Sequence, residues 1–455
     1  MPLHTAKRCA MIKLMAQDTI AALATPPGNG ALAVLRVSGS TARAVVEACT
    51  GGRRLEPRRA TLLRVRDAAG HTLDTAVATL FAAPASFTGE DVVELSCHGG
   101  MLVCARVLER LLNCGARPAE PGEFSRRAFE NGKMDLTQAE AIMDVIAAGS
   151  DWALRAAQDQ LGGALSARVR AALDSLLDVA AQLVAYIDFP EEDIEPATAE
   201  ALLAQLRELR ADLGALLATA TEGRILRGGI ATAIIGAPNV GKSSLLNLLA
   251  GYERAIVSPR AGTTRDTVEE RVLLGGLCLR LTDTAGLHES ADALEREGME
   301  RSRRAGAAAD LIIEVADSSQ PRPAPLPAFA GVPRLLLLNK CDLPTHPDWA
   351  GSEGLRFSCR TGAGREELAA AVRGLFLHRG ESADTLVAVN ARHRYALQQA
   401  LEELSRAEES LRAGEPPELT DVFLRGALDA LGSITGQVDT EDVLDRVFST
   451  FCLGK

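Results

Sequence analysis

The sequence is poor in aromatic residues, contains no C-x-x-C pair and has no long apolar run. Phe, Trp and Tyr make up 4% of its 455 residues, so the cores must be built from Ala, Leu and Val, a composition that favours helices. The nine cysteines are odd in number and scattered, which disfavours a disulfide framework or a zinc site and favours a reducing, cytoplasmic compartment. No segment approaches the ~18 apolar residues of a membrane-spanning helix, so none is expected.

Positive charge is also in deficit. Lys and Arg number 49 against 60 Asp and Glu, and the net charge of −11 disfavours a protein that coats nucleic acid non-specifically. Two interpretations are open for the locally basic stretch from Arg43 to Arg66, a binding face or a solvated loop. The N-terminal residues lack the apolar core of a signal peptide, and since an ordered pattern begins after Met15, we expect translation to start there.

Changes of pattern divide the chain into several parts. Residues 18–135 alternate short apolar runs with Gly and Pro, which predicts an α+β domain with strands at 20–24, 31–37, 76–81 and 92–95. Helical periodicity covers 137–185 and 198–222 and returns after 384, while the segment between them repeats a strand-then-helix pattern. We therefore predict an α/β domain inserted into a helical bundle, with boundaries 1–133, 134–222, 223–379 and 380–455, the second and fourth forming one helical domain.

The strongest motif is the G-x-x-x-x-G-K-S sequence from Gly236 to Ser243. It follows an apolar strand and leads into a helix, the context in which such a loop wraps phosphates with backbone N–H groups. Lys242 is expected to bridge the β- and γ-phosphates, and the Ser243 hydroxyl to hold Mg²⁺. The predicted phosphate contacts are Asn239, Val240, Gly241, Lys242, Ser243 and Ser244.

Three motifs follow downstream: Asp283-Thr-Ala-Gly286, Asn339-Lys340-Cys341-Asp342 and Ser358-Cys359-Arg360. The second of them identifies the base. The Asp342 carboxylate can accept both guanine N1–H and N2–H, a pairing that adenine cannot satisfy, so the site should reject ATP. The order and spacing of these motifs predict a GTPase domain. Its expected guanine and γ-phosphate contacts are Asp283, Thr284, Ala285, Gly286, Asn339, Lys340, Asp342, Ser358, Cys359 and Arg360.

The segment before these motifs is typical of a first switch. Thr264 is expected to bind Mg²⁺ and sense the γ-phosphate. Gly275-Gly276 lies between two β-rich runs and predicts an antiparallel hairpin. The predicted nucleotide contacts of the switch are Ser258, Pro259, Arg260, Ala261, Gly262, Thr263 and Thr264.

Two catalytic groups of Ras-like GTPases are missing. Leu287 stands where a glutamine would orient the attacking water, so Glu289, Glu295 and Glu297 are the alternatives. The stabilising positive charge comes either from a partner's arginine or from a monovalent cation held by the Asn239 side chain and backbone carbonyls of the 258–263 loop.

The tail Phe451-Cys-Leu-Gly-Lys455 formally fits a prenylation box, but glycine and lysine at its last two positions and the lack of upstream basic residues disfavour a lipid. Cys452 remains open to three interpretations: a nucleophile toward uridine C6, a redox thiol, or a small buried apolar residue.

Together, the segments FTGEDVVELSCHGG, RPAEPGEFSRRAFENGKMDLTQAEAI, IDFPEEDI, GAPNVGKSSLLNLLAG, DTAGLHESADALEREG and FCLGK make the chain from Asp18 to Lys455 resemble the MnmE (TrmE) tRNA-modification GTPases. This resemblance implies a dimer that works with the FAD-dependent partner MnmG (GidA). It implies that a carboxymethylaminomethyl-type group is added to C5 of the wobble uridine of certain tRNAs. It also implies a one-carbon unit from 5-formyl- or 5,10-methylene-tetrahydrofolate and GTP hydrolysis stimulated by potassium.

The resemblance also implies specific residue roles. Folate would contact Arg36, Glu94, Lys133 and Lys455. Potassium would be held by Asn239, Ser258, Arg260 and Thr263, and Mg²⁺ by Ser243 and Thr264. Glu295 would orient the attacking water through an intervening water. With Lys242 of the phosphate loop and with Cys452, whose role stays open, it makes up the expected catalytic residues. The chain departs from the family in the cation loop, where Ser258-Pro259-Arg260 replaces a Thr-Asp-Ile-like stretch, and a stiffer loop is expected to alter potassium activation.

Two rival functions remain open. One is a regulatory GTPase switch of the ribosome-assembly type, which would not bind folate. The other is a membrane-anchored signalling GTPase, which would carry an isoprenoid on Cys452.

Overall fold

The computed structural model describes residues 18–188, 196–252, 269–282, 309–324, 329, 331–376, 389–437, 441–452 and 454. The chain divides into two compact units, one with residues up to Glu140 and from Thr435 onward, the other from Ala141 to Ile434. None of the helices in the described ranges combines the length and the apolar character that crossing a bilayer requires.

The first unit is built on a six-stranded sheet with the order β3-β4-β5-β2-β1-β6. All neighbouring strands are antiparallel except β1 and β6. The strands are β1 Ile20–Leu23, β2 Leu32–Ser38, β3 Thr61–Arg66, β4 Thr72–Phe81, β5 Val92–His98 and β6 Arg117–Pro118. The four predicted strands are confirmed, with boundaries shifted by up to four residues.

Helices complete the first unit. Two of them, α1 Ala42–Cys49 and α2 Met101–Asn113, bury Val46, Val107 and Leu111 in one core with the inward-facing strand residues. Alternate burial along the strands explains this layering, because successive side chains point to opposite faces of a sheet. The remaining helices are α3 Glu123–Glu130, α4 Leu136–Ala147, which continues into the second unit, and α13 Glu441–Phe448.

The basic stretch from Arg43 to Arg66 is not a continuous loop. Its first part forms α1, and its last part forms β3, in which Leu63 and Val65 are buried while Arg64 and Arg66 are exposed. The solvated-loop interpretation is therefore wrong for these two parts. The strand was not predicted from the sequence because arginines occupy its solvent-facing positions.

The second unit contains a helical core shared by distant parts of the sequence. Buried residues of 165–220 and of 389–434 pack in one hydrophobic cluster, with the α/β segment between them in the sequence. The helices are α5 Asp151–Leu161, α6 Ala164–Asp188, α7 Pro196–Ala218, α8 Ala220–Gly228, α11 Ala391–Ala413 and α12 Pro417–Thr435.

The α/β segment of the second unit has a sheet of order β12-β11-β10-β7-β9-β8, parallel except for β8–β9. The predicted hairpin is confirmed, since Gly275 and Gly276 join β8 to β9 with φ of +58° and +78°. Its strands are β7 Ile230–Ile235, β8 Glu269–Leu274, β9 Leu277–Thr282, β10 Leu311–Asp317, β11 Arg334–Asn339 and β12 Leu355–Arg356, with helices α9 Lys242–Tyr252 and α10 Arg365–Phe376.

Candidate functional site

The phosphate-binding loop joins the end of β7 to the start of α9. Its backbone has positive φ at Gly236 (+155°), Asn239 (+62°) and Gly241 (+104°). A Cβ atom on Gly236 would lie 2.3 Å from the Val315 carbonyl oxygen, so only glycine fits there. The loop thus brings backbone N–H groups to a helix N-terminus, where anions are favoured.

Lys242 folds back over this loop. Its Nζ donates to the carbonyl oxygens of Gly236 (2.9 Å) and Ala237 (2.8 Å). Burial lowers the pKa of the ammonium from its usual value. The partly desolvated ammonium is therefore held by only two neutral acceptors. It should bind an anionic phosphate in preference to them, because hydrogen bonds between charged groups are stronger.

Asn339 connects the phosphate loop to a second loop. It is 2% exposed. Its Nδ2 donates to the Val240 carbonyl at 2.7 Å, and its Oδ1 accepts from the Cys359 N–H at 3.0 Å. The three loops that follow β7, β11 and β12 are thereby held at the carboxyl edge of the sheet, where α/β proteins bind ligands.

Asp342 is oriented by the loop after β12. The Ser358 hydroxyl donates to Asp342 Oδ1 at 2.6 Å, and Arg360 Nη1 lies 4.0 Å from Oδ2. The hydrogen bond from Ser358 holds the pKa of this carboxyl below its usual value, so it is ionised at neutral pH. An ionised carboxylate with one oxygen fixed is suited to accept two hydrogen bonds from guanine.

The structure brings together the predicted residues of the phosphate loop with Asn339, Asp342, Ser358, Cys359 and Arg360. Ser243 and Ser244 lie in the first turn of α9. Predicted site residues outside the described ranges are Ser258, Pro259, Arg260, Ala261, Gly262, Thr263, Thr264, Asp283, Thr284, Ala285, Gly286, Glu295 and Lys455.

A second candidate site lies on the outer face of the first unit's sheet. Arg36 and Glu94 are directly opposite on β2 and β5, and Arg36 donates to Glu94 Oε1 through Nε (3.1 Å) and Nη2 (2.8 Å). The guanidinium lies 5.0 Å from the ring centroid of Phe87 and 5.7 Å from that of Phe124. Among the described residues, no hydrogen-bond partner is found for the buried Arg36 Nη1, which leaves this donor available to a ligand.

The C-terminal tail packs against the same unit. A Cβ on Gly454 would lie 2.4 Å from the carbonyl oxygen of Leu23, the β1 residue paired with Leu35. Phe451 is buried beside Phe448. Cys452 is exposed, so its interpretation as a buried apolar residue is wrong. Leu23 follows Ala22, the β1 residue that lies opposite Arg36. Gly454 is therefore close to the strand position opposite Arg36.

Lys133 is held at the loop that carries Phe87. Its Nζ donates to the Pro84 carbonyl at 3.0 Å, and its side chain lies under Gly89. The two aromatic rings over Arg36 escaped sequence reasoning, although both belong to the segments FTGEDVVELSCHGG and PGEFSRRAFENGK. A sequence does not show which aromatic ring will meet which cation.

A buried ionic cluster was also not predicted from the sequence. Arg127 is 7% exposed and donates to Asp18 (2.5 Å), Glu90 (3.2 Å) and Glu123 (3.0 Å), while Arg117 binds Asp18 and Glu123. The cluster ties α3 to the residues at the start of β1 and before β5. Apart from Asp18, its members come from the segments FTGEDVVELSCHGG and RPAEPGEFSRRAFENGKMDLTQAEAI, which carry the family resemblance.

Comparison with known proteins agrees with these motifs. A model of the MnmE helical domain matches residues 136–452, and a model of the GTP-binding protein TrmE N-terminus matches 19–133. A tRNA modification GTPase MnmE of Akkermansia muciniphila is 58% identical over 445 residues, covering 96% of this chain and 99% of that protein. One of Opitutus terrae is 47% identical over 458 residues, covering 96% and 99%.

Among solved structures, the G domain of the T. maritima FeoB iron transporter is 24% identical and covers 31% of this chain and 96% of its own. The TM-score of 0.22 is too low to carry an argument.

Proposed function

This chain belongs to the MnmE (TrmE) family of tRNA modification GTPases, and we propose that potassium stimulates its GTP hydrolysis. Acting as a homodimer with the FAD-dependent partner MnmG, it adds a carboxymethylaminomethyl-type group to C5 of the wobble uridine of certain tRNAs. The carbon comes from a tetrahydrofolate one-carbon unit. The GTPase domain, residues 223–379, is inserted into a helical domain formed by 134–222 and 380–455.

The guanine-nucleotide site carries this proposal. Asp342, fixed by Ser358, accepts the two guanine donors, and Asn339 joins the base loop to the phosphate loop. Lys242 exchanges two loop carbonyls for phosphate oxygens. Glu295 of the second switch segment orients the attacking water, which Leu287 cannot do.

The first turn of α9 and the phosphate loop fit two cations. The Ser243 hydroxyl at the helix start, with Thr264, is a hard oxygen ligand suited to Mg²⁺. The Asn239 side chain, in a left-handed loop position, together with carbonyls of Ser258, Arg260 and Thr263, is suited to K⁺. Bound there, a monovalent cation supplies the charge that an arginine finger supplies elsewhere.

The Arg36 site fits a folate. Nη1 of Arg36, buried and without a partner among the described residues, would offer one donor, and Glu94 would offer an acceptor for pterin N–H groups. The Phe87 ring, 5.0 Å from the guanidinium, would stack on a flat ligand. Lys133 and the terminal Lys455 would bind the anionic glutamyl end. The position of Gly454 beside Leu23 of β1 supports this.

The open part of the first unit's sheet supports dimerisation. Leu32 and Leu62 are 69% and 67% exposed on its outer face, and Met101 and Leu102 at the start of α2 are 64% and 71% exposed. Leu62 lies directly opposite the exposed Val77 of β4, and contiguous exposed apolar side chains are typical of an interface. We propose that a second copy of the chain covers them.

Potassium dependence is a direct prediction. Steady-state GTP hydrolysis is expected to be at least about tenfold faster in KCl than in NaCl of equal ionic strength, an effect of the size of one charged transition-state contact. Asn239→Ala should abolish this difference, while Asn247→Ala, an exposed amide on α9, should keep it. Equal rates in both salts for the wild type would refute the cation mechanism.

The tRNA function is tested by nucleoside analysis of a deletion strain. The deletion is expected to lose the wobble-uridine modification and the wild-type gene to restore it, whereas Glu295→Ala and Arg36→Ala should not. Arg106→Ala, which removes an exposed ion pair with Glu109 in the same unit, is the matched control and should restore it. Two results together would favour the regulatory switch without folate chemistry: full modification in the strain rescued with Arg36→Ala, and no binding of 5-formyl-tetrahydrofolate to the wild-type protein by calorimetry.

A further inference from the structure

Three consecutive residues at the end of β10, none of them among the predicted nucleotide contacts, support the loop that follows β11. Asp317 pairs in register with Asn339 at the carboxyl ends of the two parallel strands. Beyond Asp317, Ser318 donates hydrogen bonds to Asn339, and Ser319 donates hydrogen bonds back to Asp317. This turn, residues 317–319, therefore lies directly behind the base-recognition loop.

Asp317 holds the side chain of Lys340. Lys340 Nζ donates to Asp317 Oδ2 at 2.5 Å, while the other oxygen, Oδ1, accepts from the Ser319 hydroxyl (2.7 Å) and N–H (3.0 Å). The Asp317 side chain is 10% exposed. Burial alone would raise the pKa of this carboxyl, but the hydrogen bonds from Lys340 and Ser319 outweigh it and keep the pKa below its usual value.

Ser318 holds the backbone beside it. Its N–H and its hydroxyl both donate to the Asn339 carbonyl oxygen, at 2.9 Å and 2.8 Å. Lys340 has a φ of +63°, a conformation that a residue with a side chain keeps only when its surroundings hold it. The bonds on either side of the 339–340 peptide supply that restraint.

We propose that Asp317 is a positioning residue for guanine-nucleotide recognition, which fixes Lys340 so that the base meets an ordered loop. The inference rests on the proposed function in that the ligand is GTP or GDP. A loop ordered before binding loses less conformational entropy when the base docks, so the affinity of the nucleotide is higher. The chemical step is remote from this turn and is unaffected.

A second ion pair on the same two strands provides a matched control. Arg334, at the start of β11, binds Glu314 of β10, and Glu314 is 16% exposed. The pair resembles Asp317–Lys340 in burial and strand placement but lies toward the opposite end of the strands. Glu314→Gln thus reports what losing such a pair costs the fold alone.

The experiment measures affinity and turnover of the full-length chain with fluorescent GDP and with GTP. Asp317→Asn is expected to raise the Kd for GDP and the KM for GTP about tenfold while kcat stays within about twofold of wild type, since one charge-assisted hydrogen bond is lost. Ser319→Ala, which leaves Asp317 in place, is expected to raise Kd about threefold. Glu314→Gln should leave both constants unchanged, and Lys340→Met should add little in the Asp317→Asn background.

The inference would be overturned if Asp317→Asn bound GDP with wild-type affinity, or if Glu314→Gln lost as much affinity for GDP as Asp317→Asn. The GTPase assignment would stand in both cases. A wild-type chain that fails to bind GDP would overturn the proposed function and this inference with it.

Discussion

Replacing Gly241 by alanine is expected to weaken GDP and GTP binding by at least about 100-fold. Two costs combine here, each of order 1–3 kcal/mol: a φ of +104° that L-residues avoid and the displacement of a hydrogen-bonded side chain. The new Cβ would lie 2.2 Å from Asn339 Nδ2, the atom that donates to the Val240 carbonyl. Both the phosphate loop and the base loop are disturbed by one methyl group. Calorimetric titration with GDP measures the effect.

Gly251→Ala is the control for this substitution. Gly251 lies in α9, and an added Cβ would meet no atom of the described residues within 4 Å beyond those of its own helix and chain neighbours. Alanine is favoured over glycine inside a helix by about 1 kcal/mol, so this variant should bind GDP as wild type does and be slightly more stable. Retained GDP affinity in Gly241→Ala would show that Asn339 does not tie the two loops together.

Replacing Arg127 by methionine is expected to destabilise the first unit by about 3 kcal/mol or more, because removing one partner of a buried ion pair leaves carboxylates without a counter-charge. Asp18, Glu90 and Glu123 all lose a donor, and only Arg117 remains near two of them. Hydrogen exchange of the α3 amides reports the free energy of opening of this unit without requiring two-state unfolding of the whole chain.

The wild-type cluster should also make that free energy depend on pH. Burial tends to raise the pKa of Glu123, but hydrogen bonds from Arg117, Arg127 and the Glu120 N–H hold it below the unfolded value of 4.5. Its stabilisation is therefore complete above about pH 4.5 and is lost as pH falls through the lower folded value. Arg127→Met should flatten this dependence.

Arg106→Ala is the matched control for Arg127→Met. Arg106 pairs with Glu109 on the exposed side of α2, where the two side chains are 60% and 56% exposed. Surface pairs of this kind contribute about 0–1 kcal/mol. An equal loss of protection of α3 in both variants would contradict the buried-cluster interpretation.

The nucleotide site could be predicted closely from sequence because its parts are local. Each motif is a few residues long, follows an apolar strand and needs a particular backbone, as the positive φ of Asn239 and Gly241 shows. The hairpin at Gly275-Gly276 follows the same logic. The ligand contacts of the individual residues stay predictions, and Ser258 to Thr264, Asp283 to Gly286 and Glu295 lie outside the described residues.

The N-terminal site was less accessible to sequence reasoning. Arg36 and Glu94 were predicted as folate contacts through the family resemblance alone. They are 58 residues apart in the sequence, a spacing that does not predict a cross-strand pair. Strand β3 was missed because arginines fill its exposed positions. Asp317 was missed because an acidic residue at a strand end has no distinctive local signal, and its partner Lys340 is 23 residues away.

The order of motifs along this chain was sufficient to establish a guanine-nucleotide loop set and the family to which the chain belongs. The loop set can be recognised because each loop depends on backbone geometry within a few residues. The family can be recognised because long segments are shared with it. Only the folded chain decided that Arg36 lies beside two rings with one donor unpaired among the described residues, that Arg127 neutralises three carboxylates and that Asp317 holds Lys340. Those pairings depend on which side chains meet after distant strands and helices pack, and the free energy that selects them comes from burial and charge pairing over long sequence separations.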